Sequence, residues 1–125
     1  AECNLIVTCT PSRSPLLRAG QIRPGTHITA MGSDTPDKQE LDPEILGRAD
    51  RVVVDSLSQA RQRGECFKAF EAGAITVEKV VELGAVIADP KFRRAAEEET
   101  TVADLTGVAV QDLQVAKAVW KRAKA

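Results

Sequence analysis

Apolar residues in this chain gather in short, β-branched runs, and the stretches between the runs carry helical spacing. Leu5–Thr10 (LIVTCT), His27–Met31 (HITAM), Arg51–Asp55 (RVVVD) and Thr100–Asp104 read as four strands. The first and third are apolar on both faces, as strands inside a parallel sheet are. Pro11-Ser12 closes the first strand and Gly32 the second. Ser14–Ala19 is expected to form a brief helical turn, Arg23–Thr26 punctuates the next entry, and Ser33–Leu41 reads as a polar loop.

Asp42 is placed to cap a short helix that has Pro43 at its first position, Glu44 in its first turn and an end by Asp50. Ser56–Gly73 reads as helical, bent or broken near Gly64. Thr76 opens another helix, with Val77, Val80, Val81 and Ile87 along its apolar side. Lys91–Glu99 is expected to be a solvated connection. Gly107–Lys124 is the longest helix, with Lys117, Lys121, Arg122 and Lys124 where cations suit the helix dipole. Strands alternating with helices give an α/β class: a partial doubly wound, Rossmann-type, mostly parallel sheet with flanking helices. Four strands fall short of the roughly six of a complete fold of that kind.

Composition narrows the partners. The 125 residues carry a formal charge of −1 and 3% aromatic residues with no tyrosine, so neither nucleic acid nor an acidic membrane surface is an expected partner. No apolar run approaches the roughly 20 residues of a membrane helix. Cys3, Cys9 and Cys66 lack a CxxC spacing, which argues against a disulfide framework or a zinc site and makes a reducing cytoplasm the expected location. An apolar run that starts within five residues of the first residue, Ala1, is expected to mark a boundary made by cleavage, truncation or chain splitting.

Ligands of open parallel sheets bind beyond the carboxyl ends of the strands. That rule selects Thr8–Ser12, Met31–Lys38, Asp55-Ser56 and Thr106-Gly107. In the second segment, Gly32-Ser33 permits close approach to a flat ring or ribose, and Asp34 follows at once. Shielded by a bound cofactor, such a carboxylate is expected to have a raised pKa and to act as acid or base, with Lys38 offered to a phosphate or ribose hydroxyl. Asp34 and Lys38 are equally readable as ordinary loop charges. His27, the only histidine, lies at the opposite end of its strand and reads as structural; Arg61, Arg63, Arg93 and Arg94 read as solvated. Neither GxGxxG nor a P-loop is present, so this stretch offers no cradle for a pyrophosphate.

Several runs carry a resemblance: Val7–Arg13, Pro24–Asp34, Lys38–Pro43, Val53–Ser56, Glu82–Gly84 and Leu105–Asp112. In order and spacing they resemble the ornithine cyclodeaminase/mu-crystallin family, across nearly the whole chain. The resemblance implies an NAD- or NADP-dependent enzyme of amino and imino acids: a cyclodeaminase, an amino-acid dehydrogenase or an imine reductase. It implies Asp34 as proton donor/acceptor. It implies cofactor contacts at Ala30, Met31, Gly32, Ser33 and Lys38, and at Thr10 or Thr8. Leu105 stands where the ornithine enzyme has a cofactor-contacting Ser, and Thr35 and Thr106 lie on the substrate side. A crystallin-like ligand-binding protein with little turnover is the alternative; its loop resembles this one but lacks the carboxylate.

The same resemblance assigns residues 1–104 to the C-terminal part of a Rossmann-type domain and residues 105–125 to a helix packing toward a dimerisation domain. The glycine-rich turn, the ribose-reading acid, the active-site lysine and the substrate-binding arginines belong to an N-terminal half. That half is therefore an expected partner, within a homodimer, and the first strand is expected to present an unpaired edge. These residues alone are expected to be inactive.

Overall fold

A computed structural model describes residues 3–124; residues 1, 2 and 125, which the expected domain bounds include, lie outside the described residues. Seven strands form: β1 (Leu5–Thr8), β2 (Arg13–Leu17), β3 (His27–Ala30), β4 (Gln39–Leu41), β5 (Arg51–Val54), β6 (Val80–Glu82) and β7 (Thr101–Asp104). The helices are α1 (Pro43–Arg48), α2 (Leu57–Ala60), α3 (Gly64–Glu71), α4 (Leu83–Ala88) and α5 (Ala109–Ala123). The main sheet has five strands in the order β1-β3-β7-β5-β6, and every pair in it is parallel. The α/β class and the parallel sheet are as the sequence pattern predicts.

Strand periodicity sorts the sheet's faces. Ile28, Ala30, Val52, Val54 and Val102 are buried together with Ile45, Leu46 and Ala49 of the α1 segment and Ala60, Cys66 and Ala69 of α2 and α3. Residues of opposite parity, such as Thr29, Val53 and Ala103, are only half-buried. β1 is outermost and bonded on one side only, with Leu5 61% and Val7 60% exposed.

Three expectations are corrected. Residues 13–17 form a strand, not a helical turn: β2 pairs in parallel with β4, so the end of the expected 33–41 loop is also extended. Pro15 interrupts the Arg13–Leu17 run, and a strand containing proline survives only at an edge. Val77, Val80 and Val81 do not share one helix. A single 3-10 turn (Val77–Lys79) leads into β6, which pairs with β5 before α4 begins. Valines three and four apart mimic a helical stripe, but β-branched side chains suit a strand, and pairing with Val52–Val54 decides the outcome.

Other local signals hold. Asp42 accepts from the Glu44 N–H as the cap of α1. Gly64, at φ +90°, breaks the expected 56–73 helix into α2 and α3. His27 hydrogen-bonds Thr101 Oγ1 through Nδ1 (2.6 Å) and Thr29 Oγ1 through Nε2 (3.1 Å), and burial lowers its pKa, as befits a structural histidine. The charged 91–99 segment is fastened rather than merely solvated. Arg93 donates to the Val86 and Ile87 carbonyls, and Arg94 to those of Gly25 and Glu97. No residue of α5 is buried, and Val110, Leu113, Val119 and Trp120 are exposed along it. Among the described residues no helix is long and apolar enough to cross a membrane.

Candidate active site at the carboxyl edge of the sheet

Register places Thr8, Ala30, Asp104, Val54 and Glu82 side by side across the sheet, so the segments beyond them emerge at one edge. Those segments carry the residues singled out from sequence. Backbone bonds stitch them: Met31 N–H donates to the Thr8 carbonyl at 2.9 Å, and Leu105 N–H donates to the Ala30 carbonyl at 2.9 Å. Thr8, Thr10, Ala30, Met31, Gly32, Ser33 and Leu105 therefore form one continuous lip.

Their side chains divide in a way the sequence did not indicate. Met31 is exposed and Thr10 half-buried, whereas Thr8, Ala30, Gly32, Ser33 and Thr106 are buried. Thr8 Oγ1 donates inward to Glu40 Oε2 (2.7 Å), Ser33 Oγ donates to the Lys38 carbonyl (2.8 Å), and Thr106 Oγ1 donates to Gln59 Oε1 (2.9 Å). These hydroxyls hold loops in shape. What they offer a ligand is the backbone beside them. Thr35 Oγ1 donates to Asp37 Oδ1 (2.6 Å) within its own loop.

Asp34 projects outward, its side chain 54% exposed, and Lys38 Nζ donates to its Oδ1 at 2.6 Å. The lysine holds the carboxyl below its ordinary value, opposite to the rise expected of a shielded carboxylate. Burial is too slight to oppose the neighbouring cation. Lys38 is likewise engaged by Asp34.

Gly32 is required, but for a reason internal to the protein. A β-carbon there would overlap the Thr10 carbonyl oxygen and Glu40 Oε1 and would lie 2.5 Å from the Thr10 nitrogen. Close packing of two strand-end loops therefore occupies the space a side chain here would need. Gly107, at φ +83°, has nothing within 4 Å of a built β-carbon, so the lip is open at that end.

Buried carboxylates supply what sequence reading missed. Glu40 accepts from Thr8 Oγ1, the Thr10 N–H (2.6 Å) and the Gly32 N–H (2.9 Å). Glu65, at the start of α3, accepts from the N–H groups of Glu40 (2.8 Å) and Leu41 (3.0 Å). Asp104 accepts from the Cys66 N–H (2.8 Å), and the half-buried Asp55, already marked by its place at a strand end, from the Gly107 N–H (2.7 Å). For Asp104 the signal was an acidic residue ending a mostly apolar strand; Glu40, between Gln39 and Leu41, and Glu65, at a helix start, carried none.

Burial pushes Glu65 to about 7, against its two N–H donors, and Asp104 to about 6. The fold therefore keeps protons at these groups that the unfolded chain has released, and stability falls as pH rises from about 4 to about 7, then levels off. Desolvation of Glu65 accounts for on the order of 3 kcal/mol at most. Asp34, Asp37 and Asp89, all held below their ordinary values, titrate beneath this window. A urea midpoint higher at pH 5 than at pH 8, with the difference reduced in Glu65→Gln, is the expected result.

The model of the ornithine cyclodeaminase/mu-crystallin family matches residues 1–125. The chain belongs to the ornithine cyclodeaminase/mu-crystallin family. Among its relatives is an alanine dehydrogenase of Archaeoglobus fulgidus, 48% identical over 98% of this chain and 38% of its own length. The iminosuccinate reductase of Paracoccus denitrificans, solved in complex with NAD+, superposes with a TM-score of 0.90 at 48% identity, covering 99% of this chain and 38% of that one. A Thermococcus litoralis Delta(1)-pyrroline-2-carboxylate reductase, solved with NADH and L-proline, gives 0.88 at 27% identity, covering 98% of this chain and 38% of its own. The chain thus spans somewhat over a third of the length of these family members.

Proposed function

We propose that these residues work as the carboxyl-terminal part of an NAD(P)-dependent oxidoreductase of small amino or imino acids, with residues 1–104 completing a dinucleotide-binding sheet and α5 returning toward a dimerisation domain. The carrying observation is Asp34: a solvent-facing carboxylate at the lip of five parallel strands, two residues beyond a glycine that admits no side chain. The described residues fit the nicotinamide end of a dinucleotide. Ala30, Met31, Gly32, Ser33, Thr10 and Leu105 present backbone and one exposed apolar side chain along a single edge, and Lys38 supplies a cation. Without a glycine-rich turn they do not fit its pyrophosphate, for which an N-terminal half is required.

The nicotinamide, when bound, accepts or supplies a hydride at the substrate's α-carbon. The protein's own part is proton handling. In the oxidative direction Asp34, kept ionised by Lys38, takes a proton from the substrate nitrogen or from an attacking water; in the reductive direction it returns that proton as the C=N bond is reduced. Thr35 and Thr106 bound the substrate side. A homodimer and a cytoplasmic setting belong to the same reading.

The test is NADH or NADPH consumption by the full-length protein with pyruvate plus ammonia, or with Delta(1)-pyrroline-2-carboxylate. Turnover that saturates with either substrate is expected. Cofactor binding without consumption of any imine favours the crystallin-like binder instead.

A further inference from the structure

We propose that Glu40 is a positioning residue for the reaction: it sets the spacing between the two strand-end loops that carry the cofactor lip and Asp34. The proposal rests on the oxidoreductase reading above. Glu40 is fully buried on β4, outside the main sheet, yet its carboxylate reaches into the carboxyl edge of that sheet. Oε1 accepts from the Thr10 N–H at 2.6 Å; Oε2 accepts from Thr8 Oγ1 at 2.7 Å and from the Gly32 N–H at 2.9 Å. One side chain thereby satisfies donors on both loops. Asp34 is tied to the same point, because its own N–H donates to the Gly32 carbonyl at 3.1 Å.

Glu40 is itself held in place. Glu65 takes the N–H groups of Glu40 and Leu41, and Asp104, at the end of β7, takes the N–H of Cys66 in the same turn of α3. The side chains of Asp104, Glu65 and Glu40, each at most 1% exposed, thus run as a relay from the centre of the sheet to the lip. A buried core requires no such arrangement, since apolar residues would fill the space without three carboxylates to desolvate. It is suited to fixing a distance between loops that must stay open to a ligand on their outer side.

A merely structural carboxylate and a positioning one differ in a double-mutant cycle on the full-length protein. Glu40→Gln places an amide that cannot accept all three donors, and Asp34→Asn removes the proton acceptor. NADH affinity is read by fluorescence titration, kcat with pyruvate plus ammonia, and the folded fraction by circular dichroism at the assay temperature. Glu40→Gln is expected to weaken NADH binding about tenfold and to lower kcat about a hundredfold while the protein is folded. In the Asp34→Asn background, its further effect on kcat should shrink to a few-fold while its effect on NADH binding persists. Equal kcat effects in both backgrounds, or changes that track only the folded fraction, overturn the proposal.

Thr8→Val keeps the outline of the threonine and removes one donor. It keeps the proposal falsifiable if Glu40→Gln does not fold: a three- to tenfold loss of NADH affinity supports it, and an unchanged affinity overturns it. If the wild-type protein binds neither NADH nor NADPH, the oxidoreductase reading itself fails and the proposal with it. If the wild type binds NADH and Asp34→Asn lowers kcat by orders of magnitude, but neither Glu40→Gln nor Thr8→Val alters binding, only the positioning role is lost.

Discussion

Replacing Asp34 by alanine in the full-length protein is expected to lower kcat by two or more orders of magnitude while NADH affinity and thermal stability barely change. The stability half follows from the structure: the side chain is 54% exposed and its one side-chain partner is Lys38, four residues on. An exposed pair at that spacing contributes about 0.5 kcal/mol or less. The kinetic half follows from the proposed role, because a group that handles the proton in the transition state contributes to kcat and little to ground-state cofactor binding. Lys38→Met sharpens the assignment. With the cation gone, the Asp34 carboxyl returns upward toward its ordinary value, so the acidic limb of the oxidative pH–rate profile should move to higher pH. Steady-state kinetics beside a thermal melt decides it: a parallel fall in melting temperature and kcat would mark Asp34 as an ordinary loop residue.

The second large effect is expected from Gly32→Ala, and here stability leads. The added methyl group would occupy the space of the Thr10 carbonyl and a Glu40 carboxylate oxygen, and neither is the free end of a flexible chain. Glu40 is pinned by three donors and Thr10 by the strand before it. Relief requires that the two loops part, which breaks the Thr10 and Gly32 N–H bonds to Glu40 and leaves a buried carboxylate short of partners. Overpacking of this kind costs roughly 1–3 kcal/mol, and the lost charge-assisted bonds add to it. A loss of about 3 kcal/mol in urea denaturation is expected, with NADH binding weakened in whatever protein remains folded. A midpoint within error of the wild type would show that the loops yield without strain.

How much was legible in the sequence depends on whether a residue's role is local. LIVT, HITA and RVVV announce strands because β-branched runs with turn formers at their ends have few other uses, although LIVT, expected to be buried on both faces, leaves Leu5 and Val7 exposed at the sheet's edge; Asp42-Pro43 announces a helix start for equally local reasons. β2, β4 and β6 are short, and each is extended because a distant partner makes it so; nothing within Arg13–Leu17 or Val80–Glu82 decides the matter. The site shows the same division. Glycine followed by an acidic residue at a strand end marked residues 32–34 as the place to look. That Gly32 also makes room for Glu40 was not readable, since the two loops meet only once the sheet has formed. Likewise a hydroxyl such as Thr8 at a strand end reads as a ligand contact until its buried acceptor is seen.

The strand order has a consequence for how the chain assembles. β7 comes last in sequence among the described strands, yet it lies between β3 and β5, which share no ladder of their own. Until residues 101–104 emerge from the ribosome, the β1–β3 pair and the β5–β6 pair are two separate half-sheets. Each has its inner flank open. The final strand closes both flanks in a single step, as a keystone does, and it delivers Asp104 to the Cys66 N–H in that same step. Within the described residues the two half-sheets are joined only through residues 101–104.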